Sequence, residues 1–153
     1  MALIPLTQGK VAVIDDEDFE WLSQWKWFAN KGGYAVRSVK NPGGTILMHR
    51  ELMKAGKGES VDHINGNPVD NRKSNLRLCN QSQNGANSKI SKNNTSGVPG
   101  VSWEKRFKVW RVYIMVNRRQ LFIGHFGDLK SATQARNKRA REVFGEFARQ
   151  YDV

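Results

Sequence analysis

Between residues 61 and 84 the chain places two short strand-like runs around a spacer dominated by turn formers, a pattern that reads as strand, loop and strand. Val61, Asp62 and His63 close the first run, and residues 64–75 are rich in Asn, Gly, Pro and Asp. Leu76, Arg77, Leu78 and Cys79 then alternate apolar and polar like a half-buried strand. Residues 81–88 are expected to form a brief helix, with Asn80 as its cap and Asn84 one turn inside.

The same stretch gathers acid, imidazole and amide groups. A histidine beside a carboxylate can take a proton from water, and Asp62 and Asn84 can supply hard oxygen ligands to an ion such as Mg²⁺. Taken singly these residues are ordinary, because Asn-Gly and Asn-Pro are common turn dipeptides and an Asp-His pair is commonly a surface hydrogen bond. Only the whole constellation points to phosphodiester hydrolysis.

That constellation resembles the HNH nucleases, in the form found in phage and intron-encoded homing endonucleases where asparagine replaces the second histidine. The resemblance implies a ββα-metal unit in which His63 is the general base and Asp62 and Asn84 are ligands of one divalent metal ion. Asn75 falls at the middle position and is expected to orient His63 or its loop. The expected ion is Mg²⁺, with Mn²⁺ as the alternative. His49 and Arg50 resemble a step in a helix packed behind the metal site, with Arg50 expected on a solvated face.

A formal charge of +11 and a pI near 10.1 favour a polyanionic partner, since lysine and arginine gain free energy by releasing the counterions condensed on phosphates. The charge is uneven: 14 basic against 5 acidic residues from position 89 onward, and 11 against 9 before it. Double-stranded DNA is the expected partner. A membrane is not, because the chain shows neither a concentrated basic run nor a long apolar face. Cys79 is the only cysteine, which excludes an intrachain disulfide and a four-thiolate clip, so no structural zinc is expected. The N-terminal residues lack a signal-like pattern, and the expected location is the cytoplasm of a bacterial or phage-infected cell.

The expected fold class is α+β, in three parts: a nuclease domain over 1–84 that includes a small mixed extension, a basic Asn/Ser-rich linker over 85–96, and a DNA-binding domain over 97–148. In the extension, residues 10–14 read as a strand, and Asp15 to Asp18 supply acids suited to a helix start. Phe19, Leu22 and then Trp25 or Lys26 follow at helical spacing, and Trp21, Trp25 and Trp27 are expected in the core. Lys89 and Lys92 in the linker are candidate phosphate contacts.

Residues 97–148 resemble an AP2 DNA-binding domain through Gly97-Val98-Pro99-Gly100-Val101, Trp110-Arg111-Val112-Tyr113-Ile114, Leu121-Phe122-Ile123-Gly124-His125-Phe126 and Phe144-Gly145-Glu146-Phe147-Ala148. The resemblance implies a three-stranded antiparallel sheet on one helix, with the exposed sheet face laid in the major groove. Ser102, Glu104, Arg106, Arg111, Tyr113, Met115, Gln120 and Phe122 would line that face. Arg106 and Arg111 suit guanine or phosphate, Gln120 adenine, and Phe122 a thymine methyl. Arg118 and Arg119 at the intervening turn suit phosphate. Ser131 with Gln134 reads as a capping box for the helix, and Arg136, Lys138, Arg139 and Arg141 as its solvated basic side.

The favoured reading is a site-directed DNA endonuclease of homing type, acting as a monomer or as a dimer assembled on DNA. A non-catalytic AP2-type DNA-binding regulator is the alternative from another class. An RNA-binding or ribosome-associated protein would explain the charge but not the motif.

Overall fold

The computed structural model describes residues 1–87 and 90–153, so the expected phosphate contact Lys89 lies outside the described residues. The chain is mixed α and β, with several small sheets and few helices, and divides into two compact units, Met1–Asn80 and Gln81–Val153.

In the first unit β1 (Ala2–Pro5) pairs antiparallel with β2 (Val11–Ile14). Helix α1 (Asp16–Leu22) follows, with Asp16, Glu17 and Asp18 in its first turn, where acids complement the partial positive charge of a helix N-terminus. The helix stops at Leu22 and does not run on to Trp25 as the spacing suggests. The chain turns instead, and the Trp27 indole Nε1 donates to Leu22 O at 2.8 Å. Trp27 is therefore buried, Trp21 half-buried, and Trp25 lies at the surface with the Arg37 guanidinium 4.2 Å from its ring centroid. Trp27 and, at its edge, Trp21 belong to the core, while Trp25 lies beyond the end of the helix and stays at the surface.

Strands β3 (Phe28–Ala29), β4 (Ala35–Val39) and β5 (Gly44–Leu47) form a second antiparallel sheet, and α2 (Met48–Leu52) follows directly. Arg37 on β4 grips Glu51 on α2 through two bonds of 2.6 and 3.1 Å. Arg50, expected to face solvent, donates to the carbonyls of Glu59 at 2.5 Å, Gly56 at 2.9 Å and Ala55 at 3.3 Å. It thereby ties the loop after α2 back onto the helix end. A third antiparallel pair, β6 (Ser60–His63) with β7 (Leu76–Cys79), sets Asp62 opposite Arg77 and His63 opposite Leu76. Ile14, Leu22, Met48, Val61 and Leu76 meet in the core, so each of these small sheets contributes one face to the same apolar centre.

The second unit opens with α3 (Gln81–Ala86), then forms the sheet β8 (Val101–Glu104), β9 (Val109–Val116) and β10 (Arg119–Phe126). Helix α4 (Leu129–Phe144) covers one side of it. Val101 and Val112 are buried with Ala132, and Ile114 with Ala140 and Phe144, which is the alternation expected from the strand sequences. Gly100 has φ +80° and approaches β9 so closely that a Cβ there would lie 2.0 Å from Tyr113 O, a position open only to glycine.

Two expectations for α4 change. Its cap is Asp128, whose Oδ1 accepts from Ser131 N at 2.8 Å, so Ser131 is inside the first turn and is not the cap. Arg136, expected on the solvated side, is buried: it donates to Arg149 O at 2.6 Å and stacks its guanidinium 4.8 Å from the Tyr151 ring centroid. Asn137 donates to Tyr151 O at 2.7 Å. Residues 149–151 thus fold back onto α4, and the helix side that reads as basic in sequence is partly an internal anchor. Gly145 ends the helix with φ +55°.

Candidate active site

His63 is the last residue of β6 and is buried at 5% exposure, with Asp62 beside it at 6%. The His63 Nε2 lies 3.2 Å from Asn71 Oδ1. Asn71 Nδ2 donates to Val69 O at 3.3 Å, which turns the amide oxygen toward the imidazole. An amide oxygen can only accept, so Nε2 carries the ring proton and Nδ1 holds the basic lone pair. Burial pushes the imidazole below the ordinary histidine range, while the Asn71 bond and the carboxylates of Asp62 and Asp70 pull the other way. The net effect is a neutral ring at pH 7, which is the state that can take a proton.

The loop that carries Asn71 is held from two sides. Against β2, Val13 N donates to Val69 O and Asn71 N donates to Val13 O, each at 2.8 Å. Within the loop, Asn75 is 8% exposed. Its Nδ2 donates to Asn65 Oδ1 at 3.0 Å and to Asp70 O at 2.8 Å, and its Oδ1 accepts from Asn65 N at 3.1 Å. Asp70 in turn accepts two 2.7 Å bonds from Arg72 and one of 2.9 Å from Asn65, and the Arg72 bonds hold its carboxyl below the usual carboxylate range. The spacer that reads as a string of turn formers is thus an amide-rich lattice that positions Asn71 under His63.

Asp62 and Arg77 face each other across β6 and β7, and the guanidinium donates to Asp62 Oδ2 at 2.8 and 3.0 Å. Asn84 lies on α3, in the second unit. Among the described residues no three or more His, Cys, Asp or Glu side chains gather at one place. The oxygen donors of the motif are a carboxylate and an amide, a hard set without thiolate.

Two further residues stand at His63. His49, on α2, meets it edge-on with ring centroids 5.0 Å apart, and Tyr34 lies 5.8 Å from it and 5.3 Å from His49. His49 is 6% exposed, and its Nδ1 has no hydrogen-bond partner among the described residues. Burial, then the neighbouring charges of His63 and Arg50, lower its pKa to about 4. An unfolded histidine titrates near pH 6.5, so between there and about 4 the unfolded chain binds more protons than the folded one. Stability is therefore expected to fall as pH drops through that window and to level off below it. Urea midpoints measured from pH 7 to pH 3.5 check this, and His49→Phe should flatten the slope. Midpoints independent of pH would contradict a buried neutral His49.

In the second unit the strand register puts Arg111 opposite Ser102 and His125, Tyr113 opposite Phe122, and Met115 opposite Gln120, so these side chains share the face away from α4. Phe122 is exposed, 5.1 Å from the His125 ring and 6.0 Å from the Arg111 guanidinium. Tyr113 is half-buried, and Glu104 approaches His125 at 3.4 Å. Arg106 is exposed in the hairpin between β8 and β9, beside Phe107. Arg118 and Arg119 are exposed at the next turn, where Arg118 donates to Gln81 Oε1 at 3.1 Å. Lys92 is exposed.

Asn71 and Tyr34 escape a reading of the sequence, whereas His49 is expected near the site through the resemblance of its His-Arg step. Asn71 is one amide among several in a turn-rich run, and nothing in the sequence around Tyr34 marks it as a neighbour of residue 63. No helix among the described residues is long and apolar enough to cross a membrane.

A family model for HNH endonucleases matches residues 53–86, a segment that holds Asp62, His63, Asn75 and Asn84. Protein 3.8 of Escherichia phage T7 is 38% identical over 93 residues, which cover 61% of this chain and 76% of that protein. An uncharacterized HNH endonuclease of Acanthamoeba polyphaga mimivirus is 33% identical over 147 residues, which cover 92% of this chain and 74% of the viral protein. No solved structure matches. With the buried histidine, its amide partner and a relative aligned along nearly the whole chain, this protein belongs to the HNH endonuclease family.

Proposed function

We propose that the protein is a metal-dependent DNA endonuclease of homing type, with His63 as its general base. HNH endonucleases act on DNA and generally depend on a divalent metal. The observation that carries the reading is the placement of His63, buried at the end of β6 with Nε2 3.2 Å from the Asn71 amide oxygen, an arrangement that leaves Nδ1 as the basic nitrogen. That nitrogen takes the proton from the water that attacks phosphorus. Asn71 then holds the proton-bearing side of the ring, and the Asp62 and Asp70 carboxylates favour the imidazolium that forms.

Asp62 and Asn84 are the residues assigned to hold the ion, and their oxygen chemistry fits Mg²⁺, with Mn²⁺ as a substitute. When bound, the ion supplies charge stabilisation to the phosphate and the leaving 3′ oxygen. Asn75 is assigned as the residue that keeps the 64–71 loop, and through it Asn71, in place.

DNA is held by the second unit in an AP2-like manner. Arg111, Tyr113, Gln120 and Phe122 on the open sheet face contact base edges, Arg106 contacts guanine or phosphate, and Arg118, Arg119, Lys89 and Lys92 contact the backbone. The excess of basic over acidic residues in this part of the chain supports that division of labour. The protein acts as a monomer or as a dimer assembled on DNA, inside the phage-infected host cell.

The test is incubation of the full chain with supercoiled plasmid and Mg²⁺ or Mn²⁺, with the ends mapped. Conversion to open-circular or linear DNA at preferred positions is expected. Tight DNA binding without conversion under either metal would instead support a non-catalytic regulator.

A further inference from the structure

Three elements far apart in the chain deliver rings to one place. Tyr34 precedes β4, His49 lies in α2, and His63 ends β6. Tyr34 is tilted 47° against His63 and 60° against His49, and His49 meets His63 at 79°. These are the tilted and edge-to-face arrangements in which the positive rim of one ring meets the negative face of another, and each tolerates little rotation before the contact weakens. Asn71 restrains the same imidazole at Nε2. The His63 ring is thus held at one edge by an amide and along its sides by two neighbours, one inside the core and one, Tyr34, at 36% exposure, near the surface.

The inner neighbour carries a cost. His49 buries a nitrogen without a hydrogen-bond partner among the described residues, where a phenylalanine would fill similar space without that loss. The Arg37–Glu51 clasp, which links β4 after Tyr34 to α2 after His49, fixes the two elements that bear these rings.

We infer that Tyr34 and His49 are positioning residues for cleavage, forming a clamp that holds the His63 imidazole in one rotamer, with Nε2 on Asn71 and Nδ1 offered at a fixed angle to the attacking water. The inference rests on the reading of His63 as general base. Without the clamp the imidazole can turn about its two side-chain torsions and lose the Asn71 bond, and the population with reactive geometry falls. Substrate binding, which depends on the DNA-contacting surface, is untouched by this loss.

The experiment uses the full chain and two readouts. The first is plasmid cleavage with Mg²⁺ at varied DNA concentration for Tyr34→Ala, Tyr34→Phe, His49→Ala and His49→Phe. The alanine variants are expected to lose on the order of 10- to 100-fold in kcat with little change in KM. The phenylalanine variants, which keep a ring, are expected to recover most of that loss. Because His49→Ala opens a hole in the core and can unfold the unit, Tyr34→Ala at the surface carries the test by itself.

The second readout needs no metal. Imidazole ¹⁵N spectra of the wild type should show His63 as a single Nε2–H tautomer at pH 7, and Tyr34→Ala should shift it toward the averaged pattern of a mobile ring. Unchanged turnover in Tyr34→Ala overturns the inference. So does a loss in Tyr34→Phe as large as in Tyr34→Ala, a loss confined to KM, or a His63 signal that no variant alters. A wild type that is inactive on every DNA while its His63 tautomer stays locked would instead overturn the nuclease reading, so the two failures are distinguishable.

Discussion

Replacing His63 with alanine is expected to lower the cleavage rate on the order of 10²- to 10⁴-fold, the usual contribution of a positioned general base, while leaving DNA affinity close to wild type. The separation follows from placement. His63 is 5% exposed at the end of β6, whereas the exposed arginines and aromatics that suit DNA lie on the sheet of the second unit. Asn71 keeps its own bonds to Val13 and Val69 when the imidazole is removed, so the loop beneath His63 stays tied to β2. Single-turnover plasmid cleavage and an electrophoretic mobility shift on the same preparation check both halves. Metal-dependent cutting at an undiminished rate by His63→Ala would remove the assignment.

Asn75→Ala should be the most damaging single change to the first unit outside its apolar core. The substitution deletes two donated bonds and one accepted bond at a residue only 8% exposed, and strands Asp70 O and the Asn65 backbone N–H. At about 1 kcal/mol for each bond, more where a buried partner is left unsatisfied, the expected loss is about 3 kcal/mol. Asn75→Asp should do no better despite its similar shape, because a carboxylate would turn two donated bonds into oxygen facing oxygen. Urea unfolding of the two variants against wild type measures this. An alanine variant within about 0.5 kcal/mol of wild type, the range of an ordinary surface substitution, would show that the 64–71 loop is held without Asn75.

The ββ part of the motif was legible because its signals are local. Alternation over 76–79 and the closing run at 61–63 are properties of a few neighbouring residues, and β7 and β6 end where those patterns end. The sheet of the second unit was legible for the same reason, since buried Val112 and Ile114 alternate with Arg111 and Met115. Helix ends were less so. Asp128 and Ser131 both suit a cap, and only the path out of β10 decides that Asp128 takes it. Arg136 shows the limit of composition: its charge reads as solvated until the chain end returns to place a carbonyl and a tyrosine ring against it.

From the residues alone came the elements of the motif, the basic bias of the second half and, through the family resemblance, His63 as the proposed general base, because strand alternation, turn chemistry, charge and side-chain acidity are intrinsic to short stretches of chain. The tertiary structure decided the state of that histidine. Burial that keeps it neutral, the Asn71 oxygen that selects its tautomer, the Arg77 partner of Asp62 and the rings of Tyr34 and His49 all arise only when separate elements close around one point. Tautomer and protonation depend on which dipoles and charges lie within a few ångströms, and sequence neighbours do not determine that distance.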